Sequence, residues 1–337
     1  CIRDSTYIDV YTAIKEADPA LYAHLNFLPY RSYSSVETYK DQMRDWLRLN
    51  EALGYPQDYL MYDLYPYPYN STAMDRAGFL TNMSAVWKVG KESDVKTAMY
   101  LQSVCIPGAY RSPSVAEIRY EAMMALAYGY KQVSYFTWFT PSNRREPFED
   151  GIILLDGTPN PKTYDGICAL NQEIHGLGTV LIGLDAEEVY LNGETWGQES
   201  IPADFFVQPL DTANYTVSFL RDSESGRNYL MVVNNSYDSA TNVVLKPDSR
   251  IKGFEVVSKE DGSLSSQALN ADGNLELLLE AGDGILLALP EGVDFYDDGL
   301  TSQQPGQNLA LDAYVTADNS LGEDSCCLLY TSDAADE

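Results

Sequence analysis

From residue 5 to 182 the chain alternates two hydrophobic periods, and this constrains its fold more than any other feature. YIDVYTAIKEA reads as a helix and ALYAHLNFLPY as a strand that stops at Pro29. VETYKDQMRDWLRLNEAL places Val36, Tyr39, Met43, Trp46 and Leu47 near helical spacing. DYLMYDLYP reads as a strand, TAMDRAGFLTNMSAVWKVGKE as a helix, and KTAMYLQSV as a strand. VAEIRYEAMMALAYG (helix), KQVSYFTWF (strand) and TYDGICALNQEIHGLGTVL (helix) complete the run. Strands alternating with helices of this length imply βα units and a parallel sheet. Four strands and five helices, beginning with a helix, match the second half of an eightfold (β/α)8 barrel, its fourth helix to its eighth. The rival is a doubly wound sheet, but no glycine-rich phosphate loop follows any strand. The expected class is therefore α/β, the C-terminal half of a TIM barrel over 1–182.

Beyond residue 182 the pattern changes. Residues 183–204 read as a transition. From 205 onward, YTVSFLRD, NYLMVVNNS, ATNVVLKP, FEVVSK, NLELLLEA and GILLALP are short strands of period two, separated by ESGRN, NADGN and AGDG. That is the pattern of an all-β antiparallel sandwich, expected over 183–290. Residues 291–306 read as a linker, and 307–325 as the truncated start of a third unit. Residues 326–337 are expected to be an artefact, because CLLYTSDAADE reads as the translation of a sequencing-library adapter.

In a barrel, chemistry sits where the strands end. Here those ends run from Asn26 to Tyr30, Asp63 to Tyr69, Gln102 to Arg111 and Trp138 to Arg145. They carry carboxamides, a carboxylate, arginines and many aromatic rings. The stretch MYDLYPYPYN alone holds four of the chain's 26 tyrosines. Flat apolar faces with polar hydroxyls suit sugars as well as they suit cores. His24 and His175 fall inside a strand and a helix and read as structural. Cys1, Cys105 and Cys168 form no CxxC pair, so neither a metal nor a disulfide framework is expected. No cofactor is expected.

Charge narrows the partners. Fifty acidic residues against 22 basic ones give a net charge of -28, which repels phosphate backbones and anionic membranes. Nucleic acid is thus an unfavoured partner, no apolar stretch approaches the ~20 residues of a membrane span, and a neutral oligo- or polysaccharide fits. The candidate substrate contacts are Asn26, Tyr30, Tyr65, Tyr67, Gln102, Tyr110, Arg111 and Trp138. The candidate catalytic carboxylates are Asp63 and Glu117. Two readings stand beside each other at several of these. Glu117 is a carboxylate near the strand ends, or the last residue of an S-x-x-E capping box opened by Ser114. Trp138 is a floor for a sugar ring, or core packing. Arg111, Arg144 and Arg145 bond hydroxyls, or pair with surface acids. The tyrosines of MYDLYPYPYN face substrate, or pack over the sheet.

ALYAHLNFLPY, DYLMYDLYPY, MYLQSVCIPGAYRSPSVAEIRYEAMMALAYGYKQVSYFTWFTP and GTPNPKTYDGICALNQEIHGLG resemble the later half of a family 42-like glycoside hydrolase barrel. QNLALDAYVTADNS, at 307–320, resembles the opening of a discoidin-like carbohydrate-binding module. The first resemblance implies a retaining mechanism with two glutamates, one after the fourth strand and one after the seventh. Carboxyl groups ~5–5.5 Å apart give retention. The fourth strand would precede Cys1, and the seventh ends in Leu101, Gln102 and Ser103, where no glutamate stands. An amide is a poor nucleophile. Three readings remain open: another carboxylate serves, with Asp63 best placed; Gln102 holds substrate while inversion or substrate assistance does the chemistry; or the barrel only binds. The expectation is thus a fragment of a secreted, extracellular or cell-surface glycoside hydrolase, possible substrates including a β-galactoside. The alternative is a non-catalytic glycan-binding protein on a degenerate barrel, and a lyase releasing unsaturated sugars is a third reading.

Overall fold

The computed structural model describes residues 2–142 and 147–295. Arg144 and Arg145, the module-like stretch 307–320 and the adapter-like tail lie outside the described residues.

The first region alternates as the sequence implies: α1 (Ile2–Ala17), β1 (Asn26–Phe27), α2 (Val36–Ala52), β2 (Tyr59–Asp63), α3 (Arg76–Ser93), β3 (Lys96–Gln102), α4 (Val115–Ala127), β4 (Gln132–Phe136) and α5 (Tyr164–Leu181). Helix α2 buries Tyr39, Met43, Trp46, Leu47 and Asn50, and the Ser35 hydroxyl caps it by accepting from the Thr38 N–H. Its strands are parallel in the order β1-β2-β3-β4. Because the order never reverses, the sheet lacks the switch point of a doubly wound fold. Strand β1 is shorter than expected. Pro29 has no N–H for a ladder, the chain coils into a 3-10 turn at Tyr30–Ser32, and His24 falls before the paired residues.

Pairing sorts the side chains, since neighbours in register share a face and alternate residues do not. Leu60, Tyr62, Met99 and Leu101 join the core formed with the helices. The opposite face carries Asn26 beside Met61, Asp63 beside Tyr100 beside Ser134, and Gln102 beside Phe136.

The second region is all-β: β5 (Leu184–Asn192), β6 (Val207–Pro209), β7 (Tyr215–Asp222), β8 (Asn228–Asn234), β9 (Thr241–Pro247), β10 (Gly253–Val257), β11 (Leu264–Ala268), β12 (Leu275–Leu279) and β13 (Gly284–Ala288). They form a six-stranded sheet, β11-β10-β13-β8-β7-β5, and a three-stranded sheet, β12-β9-β6. Every residue of β8 is buried. Tyr229, Met231 and Val233 enter the core shared with the helices, while Leu230 and Val232 enter a second core between the two sheets.

Helix α4 explains how the regions join. It packs against β3 on one side and β7 and β8 on the other, and it is buried without a break from Tyr120 to Ala127. A helix covered all round needs no polar face, which is why VAEIRYEAMMALA has so few exposed charges. Two glycines allow close approach. A Cβ on Gly176 of α5 would lie 2.1 Å from the Lys259 carbonyl oxygen. One on Gly282, whose φ is +67°, would lie 2.3 Å from that of Ala116 in α4. Arg119 of α4 then pairs with Glu173 of α5 at 2.5 Å and with Asp283, which also takes Lys259 at 2.5 Å. The main core therefore runs across the boundary at 182/183.

Candidate active site

Asp63 ends β2 on the face away from the helices. The Asn26 amide donates to Asp63 Oδ1 at 3.1 Å, and the Tyr65 hydroxyl also bonds the carboxyl. Burial raises the Asp63 carboxyl above its ordinary range, against the pull of these two hydrogen bonds. Tyr100 lies in register beside Asp63. Its phenol is raised by burial first and by the Asp63 charge second.

Aromatic rings wall this carboxyl. Tyr65 stacks on Phe136 with centroids 5.1 Å apart and planes 25° apart. Tyr110 meets Tyr65 edge-on at 5.4 Å. Phe136 also meets Tyr100 at 6.4 Å and Phe148 at 6.0 Å, both edge-on. Just past β4, Trp138 and Phe139 are 48% and 63% exposed. The segment is held by hydrogen bonds from the Ile153 N–H to the Trp138 carbonyl (2.7 Å) and from the Thr140 N–H to the Ile153 carbonyl (2.8 Å). Trp138 thus stands at the rim, and Phe136 holds the place inside the wall.

Several residues expected to meet substrate turn inward instead. Tyr67 and Gln102 are fully buried. The Gln102 carbonyl accepts from the Tyr67 N–H (3.3 Å), and its amide donates to the carbonyls of Val104 (3.2 Å) and Arg111 (2.7 Å). The Tyr67 hydroxyl donates to the Glu117 carbonyl at 3.0 Å. Arg111 lies over the Tyr67 ring, 4.9 Å from its centroid, and forks onto the Glu117 carboxylate at 3.0 and 2.5 Å. Glu117 also accepts from the Ser114 N–H and completes the capping box at the start of α4. These four residues strap the segment after β2 to the helix behind it. Their polar groups are spent on one another and on nearby backbone groups, which turns them away from the approachable surface they were expected to form. Tyr30 sits half-buried in the 3-10 turn, its N–H donated to Asn82 and its hydroxyl accepting from Arg31.

The ten residues MYDLYPYPYN therefore send their tyrosines to different places. Tyr62 faces the helices, Tyr65 joins the wall, Tyr67 enters the strap and Tyr69 is exposed.

The structure adds Tyr100, Phe136 and Phe148 to the site. Tyr100 and Phe136 lie in apolar strands, where an aromatic residue reads as core, and Phe148 lies in a charged loop far in sequence from any strand end. It also adds Glu121, fully buried in α4, whose carboxylate accepts from the Gln102 N–H at 3.1 Å. Burial pushes that carboxyl well above the ordinary range. Its only sequence signal is a second acid four residues after Glu117 in a helix otherwise almost apolar.

Among the described residues, no cluster of His, Cys, Asp and Glu is arranged to hold a metal ion, and no helix is long and apolar enough to cross a membrane. Among the described residues, Asp63 is the carboxyl bonded to the aromatic wall, through Tyr65. With its proton-binding strength raised, it can hold a proton closer to neutrality than a free aspartate, the property required of a general acid.

No family model matches the chain, and no curated protein does. Among solved structures it is similar to a catalytic mutant of a GH42 beta-galactosidase from G. stearothermophilus, at 8% identity and a TM-score of 0.46, covering 82% of this chain and 65% of that one. It is also similar to a GH51 alpha-L-arabinofuranosidase from Thermotoga petrophila (12%, TM-score 0.40, 85% and 61%). A third is alpha-galactosidase I from Mortierella vinacea (10%, TM-score 0.40, 76% and 64%). The chain spans less than two thirds of the length of each.

Proposed function

We propose that the strand-end face is one side of a glycan site in an extracellular or cell-surface glycoside hydrolase, with the parallel sheet as the second half of a (β/α)8 barrel. Asp63 is its acid/base carboxyl. The observation that carries this reading is the raised Asp63 carboxyl, oriented by Asn26 and Tyr65, beside rings of Tyr65, Tyr100, Tyr110 and Phe136. Rings of this kind stack on the apolar face of a neutral sugar, a β-galactoside among them, and Asp63 and Asn26 bond its hydroxyls. Cleavage of an O-glycosidic bond needs a second carboxyl about 5–9.5 Å away, its distance setting retention or inversion.

A second reading, glycan binding without cleavage, is favoured by one observation. Gln102 stands where the resemblance places a nucleophile, and both ends of its amide are consumed by backbone groups.

Asp63→Asn in the full-length protein separates the two. The hydrolase reading expects turnover of neutral aryl glycosides to fall about 10²–10⁴-fold, with calorimetric affinity for the matching oligosaccharide held within a few-fold. Tight binding with no turnover in the parent protein selects the binding reading. No binding to any neutral glycan removes both.

A further inference from the structure

The segment from Leu64 to Asp75 carries Tyr65 into the site and leads into α3. Most of its ties come from its own half of the molecule. The Asp75 N–H donates to the Pro66 carbonyl (2.8 Å), and Arg111 donates to the carbonyls of Ser71 and Thr72 (3.0 Å each). One tie comes from the sandwich. The buried Met74 N–H donates to the Tyr237 hydroxyl at 3.1 Å, across 163 residues of sequence.

Tyr237 lies in the turn between β8 and β9, and that turn is firmly built. The buried Asn234 amide donates to the carbonyls of Ser239 (2.9 Å), Leu279 (3.2 Å) and Glu280 (2.9 Å). The Gly282 N–H donates to the Ser236 carbonyl at 2.7 Å, and Gly282 itself sits against α4. From this base the Tyr237 ring meets Tyr67 and Tyr120 edge-on, at 6.4 and 6.1 Å. The Arg76 guanidinium lies 4.5 Å from the Tyr237 centroid and 5.0 Å from those of Tyr120 and Trp196. Tyr237 thus touches both ends of the segment: Tyr67 two residues past Tyr65, and Met74 just before α3.

We infer that Tyr237 is a positioning residue for the candidate site, holding the Tyr65 wall in place from the sandwich. Its effect on glycan rests on the function proposed above; its effect on the segment does not. The β-sandwich is then a working part of the site, and the affinity of the site depends on how the two regions dock.

Tyr237→Phe in the full chain keeps the ring and removes only the acceptor for Met74, while Tyr237→Ala removes both. Three quantities are read: hydrogen exchange at the Met74 amide, the Tyr65–Phe136 ring-to-ring nuclear Overhauser effect, and affinity for a panel of neutral oligosaccharides. Tyr237→Phe is expected to speed Met74 exchange about two- to tenfold, as loss of one hydrogen bond does, with a small change in affinity. Tyr237→Ala is expected to weaken the Tyr65–Phe136 contact and lower affinity at least tenfold. Unchanged Met74 exchange in both variants overturns the inference. So does faster exchange with the ring contact intact in Tyr237→Ala. If the ring contact responds but the parent protein binds no glycan, the strap stands and the proposed function falls.

Discussion

Strands β8 and β4 are both rich in apolar and aromatic residues, yet they meet opposite fates. All seven residues of β8 are buried, because one core lies above it and another below. All five residues of β4 are half-buried, because helices cover one face and nothing in the described residues pairs with its outer edge. The sandwich spends both faces of its middle strands on stability. The parallel sheet spends one, and on the other it keeps a carboxyl, a carboxamide and rings that a core would not retain unpaired. In this molecule the chemistry lies where cover is incomplete.

That contrast can be broken most directly by truncation. Leu230→Ala in β8 is expected to cost about 2–5 kcal/mol, read from the denaturation midpoint. Ser134→Ala on the open face of β4 is expected to stay within about 0.5 kcal/mol. Equal costs would mean that the open face is packed after all.

A paired glycine test sharpens the role of docking. Ala normally stabilises a helix interior over Gly by roughly 0.5–1 kcal/mol. At Gly178 of α5 nothing lies within 4 Å of the added methyl, so Gly178→Ala should show that gain. Two residues earlier, Gly176→Ala should reverse the sign and cost about 1–3 kcal/mol, because the methyl meets backbone of the sandwich. Melting midpoints moving the same way would show that the two regions do not hold each other.

The subtlest effect is a slope. Glu121 has a folded-state pKa raised above its ordinary 4.5 by burial. Its contribution to stability is therefore full below about pH 4.5 and is lost as pH rises through the folded value. Asp63 shifts in the same direction. Glu121→Gln should flatten the fall of stability with rising pH from the mildly acid range upward, leaving a smaller share from Asp63. A stability–pH curve parallel to that of the parent would show that Glu121 finds compensation in the folded state.

Elements with a strong period were legible in the sequence, often nearly to the residue. KTAMYLQSV, YTVSFLRD and VETYKDQMRDWLRLNEAL became β3, β7 and α2 with little change. Three strands escaped. Strand β5 carries Asp185, Glu187 and Glu188 and a register shift between Ala186 and Glu188, which breaks the alternation. Strand β6 is three residues ending in proline, and β11 is an exposed edge, LSSQA. Of the candidate site, Asp63, Asn26, Tyr65 and Tyr110 were legible as residues at or just past strand ends. The inward turn of Gln102 and Arg111 was not, since it depends on Tyr67 and Glu117 arriving from elsewhere in the chain. Tyr237 had no local signal at all.

The bond from Met74 to Tyr237 also has a consequence in time. A ribosome adding ~5–20 residues per second needs roughly 8–30 s to make the 163 residues between them. For that interval the nascent segment after β2 has its strand and its helix but not its far anchor. If Tyr237 positions the wall at Tyr65, that wall is completed only after the second region has been made.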